Sequence, residues 1–151
     1  MKVINPVMVS GGEALPLIEG GKGVAVSTGL SSGSWAGAGG IGTFSGVNAD
    51  SFRGDGTIVP QTYHGRTRKD RHEELVRYAI DGGIAQAQIA HETRSGEGRL
   101  HVNILWEMGG AERVLHGIME KCRGMVHGVT CGAGMPYRLA EIATGYGIHY
   151  Y

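Results

Sequence analysis

The chain has 151 residues, with 14 Lys+Arg against 14 Asp+Glu and only two cysteines, Cys122 and Cys131. That length fits one domain with a sizeable core. The balanced charge argues against a nucleic-acid or anionic-membrane partner, and two cysteines are too few for a disulfide framework, so a reduced, cytoplasmic setting is expected.

The opening MKVINPVMVS lacks the apolar core of a signal peptide, and no run approaches membrane-spanning length. The outlying count is glycine, 28 residues, more than twice the usual share of ~7%. Such density predicts tight turns and close backbone approaches. A ligand lying against backbone would explain it, and so would a fold rich in loops.

In chain order, residues 1–14 read as an N-terminal cap segment, with VINPVMVSGGEA able to form a short hairpin. LPLIEGG is a short apolar run ended by glycines and predicts a first strand. SSGSWAGA is small and helix-compatible, and GGIGTFSG predicts a second strand. Residues 45–65 have no period and many turn formers, which predicts a long loop, and loops of that length are usually functional or mobile. Leu75, Val76, Ala79, Ile80, Gly83, Ile84 and Ala87 then form a helical stripe. Thr67 or Asp70 can cap its start, each with an acid three residues on. The helix is expected to reach about Thr93 unless Gly82-Gly83 splits it.

RLHVNIL predicts a strand. GAERVLHGIMEKC predicts a helix with Val114, Leu115, Ile118, Met119 and Cys122 on one face. GMVHGVTCG predicts a further strand. MPYRLAEIATGYG predicts a helix with Pro136 at its first position, Leu139, Ile142, Ala143 and Tyr146 inward, and Gly145 or Gly147 at its end. GIHYY starts a last strand. Regular β–α alternation means parallel strands with right-handed crossovers, either in an open doubly wound sheet or in part of a (β/α)8 barrel. A whole barrel takes about 250 residues. The expectation is therefore α/β: a single incomplete TIM-type barrel domain over residues 1–151, with about five parallel strands and four crossover segments.

EGGKGVAVSTG suggests a phosphate loop but fails on spacing, because Lys22 is followed by Gly23 and not by Ser or Thr. Gly29-Leu30-Ser31-Ser32-Gly33 matches the G-x-S-x-G of a nucleophile elbow, a short pattern that arises easily in a chain rich in Gly and Ser. No metal site stands out: His91-Glu92 lacks a second histidine, and Cys122 and Cys131 read as small hydrophobes. RTRKDRHEE reads as a solvated first helical turn. Asn103, inside an apolar strand, needs hydrogen-bond partners; a neighbouring strand's backbone would serve, and so would a polar ring. Thr130, Cys131 and Gly132 end another strand. In parallel α/β folds, ligands sit at the carboxyl ends of strands, and three such ends are glycine-rich, at residues 20–23, 42–46 and 132–134.

From about Leu15 to Tyr151 these blocks resemble the nitronate monooxygenase (2-nitropropane dioxygenase) family, FMN-dependent (β/α)8 barrels. The resemblance rests on Pro16-Leu17-Ile18-Glu19, on Ala38-Gly39-Gly40-Ile41-Gly42, on VNIL with Asn103 and on GVTCGAGMP. It implies an FMN ring across the strand ends, with the backbone of Gly21, Lys22 and Gly23 facing it and Asn103 bonded to its edge. Thr43 and Thr130 are the other expected cofactor contacts, and no metal is expected. The implied reaction is oxidation of an alkyl nitronate by O2 to a carbonyl compound and nitrite. Lys22 departs from the methionine common at that turn. The family's catalytic histidine and phosphate loops belong to the second half of the barrel and have no counterpart in this chain. An isolated chain is thus expected to be inactive, and a homo-oligomer or a complementing half-barrel to complete it. The alternatives are a non-catalytic half-barrel subunit and a serine hydrolase acting through Ser31.

Overall fold

The computed structural model describes residues 4–151. An antiparallel hairpin comes first, β1 (Val7–Val9) and β2 (Gly12–Ala14), with Val9 opposite Gly12. Ser10 and Gly11 both have positive φ, 49° and 75°, the backbone that a two-residue hairpin turn demands. Helix α1 (Gly29–Gly37) follows, capped by Thr28, whose side chain accepts from the Ser31 amide. Then come β3 (Ile41–Ser45), α2 (Arg68–Thr93), β4 (Arg99–Leu105), α3 (Ala111–Cys122), β5 (Gly128–Ala133), α4 (Leu139–Tyr146) and β6 (His149–Tyr150). The four later strands form one parallel sheet in the order β3-β4-β5-β6. Over the described residues the protein is thus a mixed α/β fold with a four-stranded parallel sheet and four helices. Among the described residues no helix is long and apolar enough to cross a membrane.

The sheet has two unlike faces because side chains alternate along a strand. Phe44, Leu100, Val102, Ile104 and Val129 join one core with Val76, Val114, Leu115, Ile118, Met119, Leu139 and Ile142 of the helices. The opposite face carries Thr43, Ser45, His101, Asn103 and Thr130, and the register sets Thr43 beside His101, and Asn103 between Ser45 and Thr130.

Three expectations change. The first strand is reduced to a single parallel bridge, Ile18 to Ile41, with hydrogen bonds from the Glu19 amide to Ile41 O and from the Ile41 amide to Leu17 O. Pro16 has no amide to extend the ladder, and Gly20-Gly21 end it. Pro136 does not open α4; its carbonyl accepts from the Leu139 amide in a turn, and the helix starts at Leu139. Gly82-Gly83 do not split α2, which is a single helix of 26 residues with a capping box between Thr67 and Asp70. These glycines are contact points: a Cβ on Gly82 would lie 1.7 Å from Ala49 O, and one on Gly83 2.3 Å from Ile118 Cδ1. The absence of side chains lets the loop after β3 and helix α3 press against α2.

Candidate functional site

The carboxyl end of β4 holds the buried side chain of Asn103, and glycines crowd around it. A Cβ on Gly21 would sit 2.5 Å from Asn103 Cβ and 3.0 Å from its Oδ1. A Cβ on Gly132 would meet the same Oδ1 at 3.4 Å. Gly132 is also where the pairing of β4 with β5 slips, between Ile104 and Leu105 on the β4 side; an irregularity of this kind re-aims side chains at sheet rims. Thr130 Oγ1 donates to Asn103 Oδ1 at 3.5 Å, and the Gly46 amide donates to the Asn103 carbonyl at 2.9 Å. Two of the three glycine-rich strand ends therefore close on the Asn103 side chain, the third bonds its main-chain carbonyl, and the residue is only 4% exposed.

The turn over Asn103 is closed by its own side chains. Ser27 Oγ accepts from the Lys22 amide at 2.9 Å and donates to Gly20 O at 3.3 Å. The Ser45 amide donates to Ser27 O, and the Ala25 amide to Val47 O, tying the turn to the end of β3. Gly21 and Lys22 are exposed and Gly23 half-buried; Lys22 Nζ reaches only Gly20 O, at 3.3 Å. Val24 and Ala25 adopt positive φ, 53° and 61°, a conformation uncommon for any side chain and an outlier for a β-branched one.

Glu19 anchors the turn from beneath. Its carboxylate is 4% exposed and accepts from Ser31 Oγ at 2.5 Å, Ser32 Oγ at 2.8 Å and the Thr43 amide at 3.2 Å. A buried carboxylate must be compensated, and these donors join the turn, the first turn of α1 and β3 to one group. Ser31 therefore has a carboxylate for its hydrogen-bond partner and lies within α1 behind the Thr28 cap, away from any strained strand-to-helix elbow.

Thr43 lies one layer lower, in register with His101, and its buried hydroxyl finds no hydrogen-bond partner among the described residues. At this lower end the hairpin tip covers the polar face. Ser10 Oγ is 2.7 Å from His101 Nε2 and 3.1 Å from Tyr151 Oη, and the Tyr151 ring stacks on the imidazole at 5.1 Å. His101 Nδ1 is buried and has no partner among the described residues. Burial, reinforced by the charges of His127 and His149, lowers the His101 pKa to about 4, so the ring is neutral near pH 7. Ser10 and His101 are 7% and 3% exposed, which makes this pair a plug and not a station for substrate.

The structure thus brings Gly21, Asn103 and Thr130 together, keeps Lys22 and Gly23 on the outer side of the same turn, and sets Thr43 apart. For a flavin, the exposed glycine backbone of the turn fits the face of a flat ring. The Asn103 amide, under Gly21, is shut from the outside. Glu19 and the Ser10–His101–Tyr151 cluster were not singled out from the sequence. RLHVNIL does carry a signal for the second: Arg99, His101 and Asn103 alternate with Leu100, Val102 and Ile104, so a two-residue period places them on one polar face. Comparison with family models, curated proteins and solved structures finds no match for the chain.

Proposed function

We propose that this chain is the N-terminal half of a TIM-type barrel of a flavin-dependent oxidoreductase resembling nitronate monooxygenases. The observation that carries this reading is the convergence of the turn at residues 20–23, Gly132 and Thr130 on Asn103, at the carboxyl end of a parallel sheet whose strands follow chain order. Consecutive parallel strands with all helices packed on one face are how such barrels are built, and their sites lie at that end. Bound FMN would supply the electron chemistry that takes an alkyl nitronate and O2 to a carbonyl compound and nitrite. The chain's own part is to offer side-chain-free backbone at Gly21 for close approach and to hold the Asn103 amide through Thr130. The exposed Lys22 ammonium adds positive charge beside the ring, favouring its reduced, anionic form.

Apolar side chains at the two sheet edges support completion by a second half-barrel or a second copy. Ile18 is 62% exposed beside β3, and Tyr150 is 52% exposed at β6; unpaired edges of this sort invite strand addition. The test is to offer FMN to the purified protein and read absorbance, flavin fluorescence and native mass. Saturable uptake with a mass of about twice 15.9 kDa is expected for a homodimer. A colourless protein that takes up no FMN refutes the oxidoreductase reading. It would leave the non-catalytic half-barrel subunit, which the 4% exposure of Asn103 favours.

A further inference from the structure

A second candidate site lies on the flank of α2, and nothing in it rests on the flavin reading. Arg68, Arg71, His72 and Leu75 are spaced three, four and seven apart, which sets them on one stripe of the helix. With Tyr63 of the preceding loop they line an open groove of about 780 Å³. The end amides of the helix are not the attraction: Thr67 Oγ1 accepts from the Asp70 amide, and Asp70 Oδ2 from the Thr67 amide. The side chains are.

Within the described residues, neither guanidinium of the stripe is ion-paired, because the neighbouring carboxylates are turned to other partners. Glu73 is held by the guanidinium fork of Arg113 at 2.6 and 2.9 Å. Glu74 accepts from the amides of His64 and Gly65, and Asp70 is spent on the cap. Among the described residues, no ion pair involves Arg68 or Arg71. Arg68 and Arg71 stand at the positive end of a 26-residue helix whose first turn holds one acid, Asp70, so a further anion is favoured there. Arg71 is pre-aimed, its Nε donating to Gly65 O at 2.9 Å. Tyr63 is held as well: its ring packs edge-on against Tyr78 at 5.8 Å and its hydroxyl donates to Gln61 Oε1 at 3.0 Å.

We propose that this groove binds a small organic phosphate that carries a flat ring. Guanidinium forks match phosphate oxygens in geometry and charge. Tyr63 offers a ring to stack on, and Leu75 an apolar floor.

The test is calorimetric titration of the full chain with phenyl phosphate, beside inorganic phosphate, at about physiological salt. FMN also carries a phosphate and a flat ring, so it is left out of this titration, and the outcome is independent of flavin uptake. Saturable binding of phenyl phosphate is expected. Arg68→Gln and Arg71→Gln should each weaken it about tenfold, and Tyr63→Ala should weaken it as well. Lys69→Gln removes the same charge off the stripe and should leave affinity within about twofold, since a single exposed charge contributes little. The proposal is overturned if phenyl phosphate does not saturate, if inorganic phosphate binds as tightly, or if Lys69→Gln costs as much as Arg68→Gln.

Discussion

Acidifying the protein from about pH 7 to about pH 4.5 tests the polar face of the sheet. His101 is 3% exposed, clamped between Ser10 and the Tyr151 ring. Burial foremost, then the charges of His127 and His149, lowers its pKa from 6.5 to about 4. Between those values the unfolded chain binds a proton that the folded chain refuses. Stability is therefore full above about pH 6.5, falls with pH through the window and levels off below about pH 4. A drop from 6.5 to about 4, at about 1.4 kcal/mol per pH unit, sets the full loss at about 3 kcal/mol. His127 acts in the same direction, its pKa lowered to about 4 by burial first and then by Arg94 and Arg99. The carboxylates of Asp55, Asp70 and Glu73 are lowered from 3.8, 3.8 and 4.5, mainly by bonds to Thr57, Thr67 and Arg113, so what they contribute is lost only below those values. The window above about pH 4.5 thus belongs to the histidines. Urea unfolding followed by circular dichroism across that range should show the midpoint falling steadily, and His101→Gln and His127→Gln should each flatten the slope. A midpoint that stays level down to about pH 4.5 would refute the reasoning, as would a slope that survives in both variants.

Two substitutions test the packing and the turn. Gly82→Ala would gain about 1 kcal/mol from helix propensity alone, but its Cβ would lie 1.7 Å from Ala49 O. Overpacking against backbone outweighs the gain, so a net loss of about 1–3 kcal/mol is expected in chemical denaturation, and a stabilised variant would deny the contact. Glu19→Gln sets an amide donor against Ser31 Oγ, Ser32 Oγ and the Thr43 amide, all donors to the native carboxylate. A loss of about 1.5–3 kcal/mol is expected, with faster hydrogen exchange at the Thr43 amide; unchanged exchange there would sink the anchoring role.

The elements most legible in the sequence were those whose periodicity is complete within the segment. RLHVNIL matches β4 residue for residue, and the five inward positions assigned to α3 are all buried. The signal failed where a neighbour decides. Pro16 and Gly20-Gly21 leave room for only one bridge at the first apolar run, because a strand is defined by what pairs with it. Gly82-Gly83 look like a helix breaker until Ala49 and Ile118 are known to press on them. Glu19 was legible only as a member of a motif. Its importance depends on two serines of α1 and an amide of β3, separated from it by 12 to 24 positions, meeting at one carboxylate.

The same contacts decide what the glycine-rich turn can do. Ser27 has the look of a phosphate ligand, yet its hydroxyl already bonds the Lys22 amide and Gly20 O. Thr28 is equally committed, as the cap of α1. What remains to offer a ligand is backbone: Gly20, Gly21 and Lys22 are exposed, and a flat ring can rest there without displacing a side chain. Reaching Asn103 is a different demand. Gly21 would have to lift while Glu19 holds one side of the turn and Ser27 the other. Ser27→Ala frees one side only. If ring binding requires the amide of Asn103, that variant should bind FMN more tightly than the parent and lose the gain when Asn103→Ala is added. If the ring rests on the outer backbone, Ser27→Ala should weaken binding by loosening the platform, and Asn103→Ala should matter little. The sign of the Ser27→Ala effect therefore separates a turn that opens from one that serves as it stands.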